Sequence, residues 1–230
     1  MFYEWYRITD GGKRERVAVA RQKTTWVQIN EARAVRIEKI PTFLEEYLKL
    51  MKPMTKEIFP RENCPEPYRN ISLGNKIKSY SKGVIHKFKI DEGIFSTTLE
   101  NSNLVGNIYF ANYAKWLGMV CDRFFYKIIP AYFTDVSNKN ELVCLECNIH
   151  HLNDGFPFEE ILVEMYVDEI YENGFRLYFE FHRIKKGRKE NKLAYANQKI
   201  AFIHWSNEIK PDVIKIPNII RDFIQTKELF

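Results

Sequence analysis

The sequence lacks any apolar run long enough to cross a membrane, and its amino terminus has no secretory signal pattern; a reduced, cytosolic setting is the expectation. Cysteine is scarce. Cys64, Cys121, Cys144 and Cys147 are spaced in a way that makes no disulfide framework. The one close pair, Cys144 and Cys147, lies in an apolar strand-like run where residues three apart point to opposite faces, which argues against a metal or redox role. There is no Gly-x-Ser-x-Gly elbow, no Walker A sequence and no dinucleotide-binding glycine pattern. Charge of one sign is not gathered into blocks either. The formal net charge is +5, with lysines and arginines scattered among acids, so nucleic acid is not required as a partner, while an anionic ligand or an acidic protein suits the balance.

What the chain has is apolar and aromatic mass. Of its 230 residues, 45% are apolar and 15% aromatic, ample for a packed core in one large or two ordinary domains. The strongest pattern runs from about Ile108 to Phe125, where Phe110, Tyr113, Trp116, Leu117, Val120 and Phe124 recur at steps of three and four. That spacing predicts a buried helix. Just upstream, Asn101, Ser102, Asn103 and Asn107 are N-cap residue types, and Gly106 allows a tight turn. The helix should therefore present free backbone N–H groups and its positive end beside Asn103.

This stretch resembles the hot-dog thioesterases, in which an acidic residue, two variable residues, Gly, His or Asn and an apolar residue precede an apolar helix. The nearest resemblance is to the thioesterases of enediyne polyketide pathways, matched by Asn103-Leu-Val-Gly-Asn-Ile-Tyr-Phe110, then Asn112-Tyr113, Trp116 and Gly118. In that group Asn replaces the usual carboxylate, and an Arg further along the helix is the other functional residue. The matching position here is Cys121, and Arg123, about 200° further round a helix, does not replace it. The resemblance implies an α+β hot-dog fold, an antiparallel sheet wrapped around a long central helix. It also implies a substrate that is an acyl thioester of an acyl carrier protein or CoA, with no cofactor and no metal. Its site residues would be Asn103, Gly106 and Asn107 for catalysis and Ile108, Tyr109 and Tyr113 for substrate binding. Asn103 would position water or the thioester carbonyl, and amides at Gly106 to Ile108 would hold the oxyanion. Tyr109 and Tyr113 fit an acyl slot or the core equally.

The chain also repeats itself. At a constant offset of 176 residues, Phe2–Phe43 aligns without a gap onto Tyr178–Ile219 with twelve identities, among them Glu4/Glu180, Arg7/Arg183, Gln22/Gln198 and Ile40-Pro41/Ile216-Pro217. The repeated module reads strand, turn, strand, Ile-Pro, helix: Phe2–Ile8, a turn at Asp10–Gly12, Arg16–Ile29, then a helical pattern with Phe43, Leu44, Tyr47 and Leu48. In hot-dog thioesterases such a module ends the domain, so residues 1–51 are expected to be the end of a first unit and 84–230 a complete second one. Residues 52–83, with Pro53, Pro60, Pro65 and Pro67, are expected to be a linker. The expected architecture is a double hot dog with Met1 marking a truncated start. A short first unit that pairs with another chain is the alternative, and assembly into a homo-oligomer stays open.

Within the second unit, strands are expected at Val84–Ile90, Ile94–Leu99, Leu142–Leu152, Phe158–Tyr171, Phe175–Ile184 and Leu193–Trp205. His150 and His151 are adjacent on a strand, so only one can face the core. Adjacent histidines can supply an acid or a base, but thioesterases of the resembled kind do not depend on a histidine there, and a structural or surface role is expected. Three functions remain in play: thioester hydrolysis, non-catalytic acyl binding, and an acyltransferase, decarboxylase or dehydratase whose active residues stood in a missing first half.

Overall fold

The computed structural model describes residues 2–8, 12, 14–21, 27–29, 35–37, 45, 70–80, 88–135, 137–206 and 210–228. The chain divides into two units, Met1–Asn70 and Ile71–Phe230. In the first, β1 (Phe2–Ile8) pairs antiparallel with β2 (Arg14–Arg21), and β3 (Val27–Ile29) pairs with β4 (Val35–Ile37). Of the long strand expected over Arg16–Ile29, residues 16–21 lie in β2 and Val27–Ile29 form β3, while 22–26, and the helical pattern around Phe43 apart from Glu45, lie outside the described residues.

The second unit runs β5 (Lys76–Ser79), β6 (Phe88–Ser96), α1 (Ala111–Ile128), α2 (Ala131–Thr134), β7 (Asn140–His151), β8 (Glu160–Tyr171), β9 (Gly174–Lys185), β10 (Arg188–His204), β11 (Asp212–Val213) and α3 (Asn218–Glu228). Its strands form one antiparallel sheet. Across the sheet the order is β7, β10, β9, β8, β6; β5 continues the β6 column beside the end of β8, and β11 continues the β9 column beside the end of β10. Because β5 pairs with β8, the stretch expected to be a linker over 52–83 supplies part of the sheet edge; 52–69 and 81–83 lie outside the described residues. Among the described residues no helix is long and apolar enough to cross a membrane.

Alternation explains which face meets the helix. Ile161, Val163, Met165 and Val167 on β8 and Phe175, Leu177, Phe179 and Phe181 on β9 are at most 1% exposed. They share one core with the stripe Tyr113, Trp116, Leu117, Val120 and Phe124 of α1 and with Ile220 and Ile224 of α3. Each such side chain contributes about 1.5–3 kcal/mol when it leaves water, which makes this face the main source of the unit's stability.

The central helix differs from expectation at both ends. It starts at Ala111 because the preceding residues are tied elsewhere: Ile108 bridges Ser102, its N–H donates to Gly155 O at 2.8 Å, and Tyr109 N–H donates to Asn101 O at 2.8 Å. It runs on to Ile128, and Ile129 leaves the helical region at φ −130° before Pro130, as a residue preceding proline tends to.

The internal repeat extends to strand register. Phe2↔Arg21, Tyr3↔Ala20, Glu4↔Val19 and Trp5↔Ala18 are reproduced at the same offset by Tyr178↔Asn197, Phe179↔Ala196, Glu180↔Tyr195 and Phe181↔Ala194. In both hairpins the next pair skips one residue, giving Tyr6↔Arg16 and His182↔Lys192. A bulge inserted at the same place in two hairpins is a fold feature, since each bulge redirects the strand beyond it.

Candidate active site

The loop from Leu99 to Phe110 turns on its own polar groups. Leu99–Asn101 form a single 3-10 turn, closed by Thr98 N–H donating to Asn101 Oδ1 at 2.9 Å and Ser102 Oγ donating to Leu99 O at 2.7 Å. Asn112, in the first turn of α1, donates through Nδ2 to Asn101 O at 2.8 Å and fastens this turn to the helix. None of the expected cap residues caps α1; its N-cap is Phe110, which makes no side-chain cap bond. The expectation failed because Asn101 and Ser102 serve the 3-10 turn, and Asn103 and Asn107 serve the loop that follows.

Asn103 N–H donates to Asn107 O at 2.9 Å, and Gly106 N–H donates to Asn103 O at 3.0 Å, closing a tight excursion whose tip, Leu104 and Val105, is exposed. Gly106 has φ +84°, and a Cβ there would meet nothing within 4 Å, so glycine is demanded by backbone conformation alone. Asn103 Oδ1 accepts from Val105 N–H at 3.0 Å, an Asx turn that fixes the amide and leaves Nδ2 as the group to offer. Asn107 is set the other way: its Nδ2 donates to Asp154 Oδ1 at 3.0 Å, while its Oδ1 is buried without a partner among the described residues.

Asp154 belongs to the loop between β7 and β8, which forms the opposite wall. Leu152 N–H and Asn153 N–H both donate to Leu193 O, Asn153 Nδ2 donates to Lys192 O at 2.7 Å, and Arg183 donates to Asp154 O at 2.9 Å while pairing with Glu159. A Cβ on Gly155 would stand 3.1 Å from Tyr113 Oη and 3.2 Å from Ile108 Cγ1, so glycine lets this wall close on the helix. Between the two walls lies a cavity of about 490 Å³ lined by side chains that include Asn103, Asn107, Tyr113, His151 and Asp154.

His151 and His150 take opposite faces of β7. His150 stacks on Tyr195, whereas His151 meets the buried Tyr113 edge-on with ring centroids 4.7 Å apart. Partial burial holds the His151 pKa below its ordinary value, opposed by the Asp154 charge and aided by His150. Burial, with the charges of Asp154 and Glu159, pushes the Tyr113 phenol up to about 12.

Of the residues expected at the site, Asn103, Asn107, Ile108 and Tyr113 line this cavity; Gly106 and Tyr109 do not, Tyr109 being exposed beside Phe110. The amides of Gly106 and Ile108 are already spent on Asn103 O and Gly155 O. Those of Asn107 and Phe110 have no acceptor among the described residues and are the donors the loop can offer. Cys121 is 6% exposed within the core cluster, where burial pushes its thiol up, so an Arg at that position would enter the core and not this cavity. Arg123 is committed to β6, donating to Glu92 O and facing Asp91. His151 was expected in a structural or surface role, and Asn153, Asp154 and Gly155 were not anticipated; the paired histidines at a strand end, followed after Leu152 by Asn-Asp-Gly, were the only signal.

No protein-family model matches the sequence, and no curated protein does. Solved structures do. The chain is similar to the dynemicin thioesterase at 24% identity, over 59% of this chain and 95% of that one, with a TM-score of 0.54. It is similar to a 1,4-dihydroxy-2-naphthoyl-CoA thioesterase from Synechocystis at 14% identity, over 59% and 95%, with a TM-score of 0.50. A Staphylococcus aureus protein solved in complex with CoA is 15% identical over 64% of this chain and 87% of its own, with a TM-score of 0.52. The chain therefore has the hot-dog fold of these thioesterase structures.

Proposed function

We propose that this protein hydrolyses an acyl thioester, carried on CoA or on the phosphopantetheine of an acyl carrier protein, with water as the nucleophile. The observation that supports this reading is the cavity at the start of α1, where Asn103 Nδ2 is left unspent beside the open amides of Asn107 and Phe110. An oxygen that gains negative charge during attack on a thioester needs such preorganised donors. Asn103 thus acts as a donor to the carbonyl oxygen, because its own oxygen is occupied by Val105. The mildly basic chain suits an anionic carrier, and the likeness to a CoA thioesterase and to a protein solved with CoA supports the same reading. Cytosolic polyketide or fatty-acyl metabolism is the setting this chemistry fits, and residues 1–51 are read as the end of a first hot-dog unit.

A second reading, acyl binding without turnover, is favoured by Cys121 lying in the core where the resembled enzymes carry their functional Arg. Two variants separate the readings. Asn103→Asp keeps the oxygen that accepts from Val105 but loses the donor, whereas Asn103→Ala loses both. Under the hydrolytic reading each lowers kcat on octanoyl-CoA by roughly 10²–10³, the loss seen when one oxyanion donor is removed. Wild-type protein that binds octanoyl-CoA but releases no thiol would decide for acyl binding, and Asn103→Asp with full turnover would exclude Asn103 as the donor.

A further inference from the structure

We propose that His151 is the general base that activates the water, an assignment that rests on the thioester reading above. The lining of the cavity narrows the choice. Its titratable side chains are Tyr113, His151 and Asp154; the rest are amides, apolar groups and Gly155. Tyr113, with its pKa near 12, keeps its proton at neutral pH and cannot accept one. Asp154 has Oδ1 engaged by Asn107 Nδ2, which leaves Oδ2, and its charge acts on the His151 imidazole beside it. His151 is exposed at the cavity wall, and the burial it does have lowers its pKa, so a ring nitrogen carries a free lone pair at neutral pH.

Geometry favours the same residue. His151 ends β7 and points to the helix side of the sheet, where Tyr113 holds its ring edge-on. Asp154 from the loop and Tyr113 from α1 face His151, with the Arg183–Glu159 pair beyond Tyr113, and His150 acts on it from the other face of its own strand. Asp154 raises the affinity of His151 for a proton, and burial and His150 lower it.

In the step itself, the water oxygen bonds to the thioester carbonyl carbon while one water proton passes to a His151 ring nitrogen. The carbonyl then reforms, the C–S bond breaks, and the imidazolium returns the proton to the departing sulfur. The products are a carboxylic acid and a free thiol, so atoms and charge balance.

The test uses the full chain with octanoyl-CoA, reading released thiol from pH 5 to 9. Wild-type kcat/KM is expected to rise with an apparent pKa below the ordinary histidine value of 6.5. His151→Gln is expected to lose 10²–10⁴-fold in kcat, the usual worth of a positioned base, with KM little changed and the acidic limb abolished. His151→Ala is expected to regain part of its rate when imidazole is added, a rescue that a merely structural histidine would not show. Asp154→Asn is expected to move the limb to lower pH, because the charge that favours the imidazolium is gone. A His151→Gln protein with wild-type kcat and pH profile overturns the base while leaving thioester hydrolysis intact, as does an Asp154→Asn protein that loses the limb. Wild-type protein that turns over no thioester overturns both.

Discussion

Replacing Glu180 with Gln should weaken the fold by a pH-dependent amount that the geometry fixes in sign. Glu180 on β9 stands directly opposite Glu164 on β8, with His182 two residues away. Like charges in opposed positions repel across a sheet unless cations intervene, and here they do: Lys192 lies 2.7 Å from Glu180, Lys189 2.5 Å and Lys89 3.5 Å from Glu164, and His182 Nε2 3.1 Å from Glu180. The three side chains Glu164, Glu180 and His182 could hold a metal ion, but the lysines already occupy the carboxylates. The His182 hydrogen bond first, then that of Lys192, lowers the Glu180 carboxyl from 4.5 to about 2 against the opposing effect of burial. That drop corresponds to on the order of 3 kcal/mol in favour of the folded anion. A depressed folded-state pKa gives stability that is present in full above the unfolded value of 4.5 and is lost as pH falls through about 2. Urea denaturation followed by circular dichroism should therefore show Glu180→Gln less stable than wild type by roughly 2–3 kcal/mol at pH 7. The gap should be unchanged down to about pH 5 and close progressively towards pH 2. A gap that stays constant from pH 7 to pH 3, or a variant more stable than wild type, would refute the reasoning.

Other substitutions test the remaining contacts. Gly155→Ala should cost about 1–3 kcal/mol by overpacking against Tyr113 and Ile108, read as a lower Tm, and should displace Tyr113 enough to reduce turnover per folded molecule. Gly106→Ala should cost about 1–2 kcal/mol because its φ of +84° is unfavourable for an L side chain while the space around it is open; an unchanged Tm would show that the loop adopts another conformation. Cys121→Arg, far from restoring activity, should put an unpaired charge into the core and lower stability by at least about 3 kcal/mol. Raised hydrolysis in a well-folded Cys121→Arg protein would mean that this position reaches the cavity after all.

The fold was legible because its signals are periodic. The stripe from Tyr113 to Phe124 could be read as a buried helix, although Phe110, expected on it, is exposed ahead of the helix, and the runs after Pro130 could be read as strands, since periodicity fixes which side chains share a face. Ends were harder. Ile108 looks helical by spacing, yet its N–H reaches Gly155 O, 47 residues away, and no local pattern announces that bond. β5 was hidden for a related reason: a four-residue strand with every side chain exposed has no apolar face to betray it, and only its pairing with β8 makes it a strand. The matched registers of the β1–β2 and β9–β10 hairpins go further than identities could, because a one-residue bulge leaves no mark on an ungapped alignment.

The site was legible on one wall only, and the reason lies in how backbone donors are spent. A polar loop ahead of an apolar helix reads as a row of free N–H groups, and by that logic Gly106 to Ile108 were expected to face a ligand. Folding takes those groups first: Gly106 closes on Asn103, Ile108 on Gly155 and Tyr109 on Asn101. What can act on a substrate is the remainder, namely Asn103 Nδ2 and the amides of Asn107 and Phe110, together with the imidazole at the end of β7. Because buried backbone groups are nearly always paired, a donor left open beside a cavity is costly unless a ligand or water uses it. The chemistry of this protein is therefore better sought in what its hydrogen-bond network leaves over than in the residue types that a motif contains.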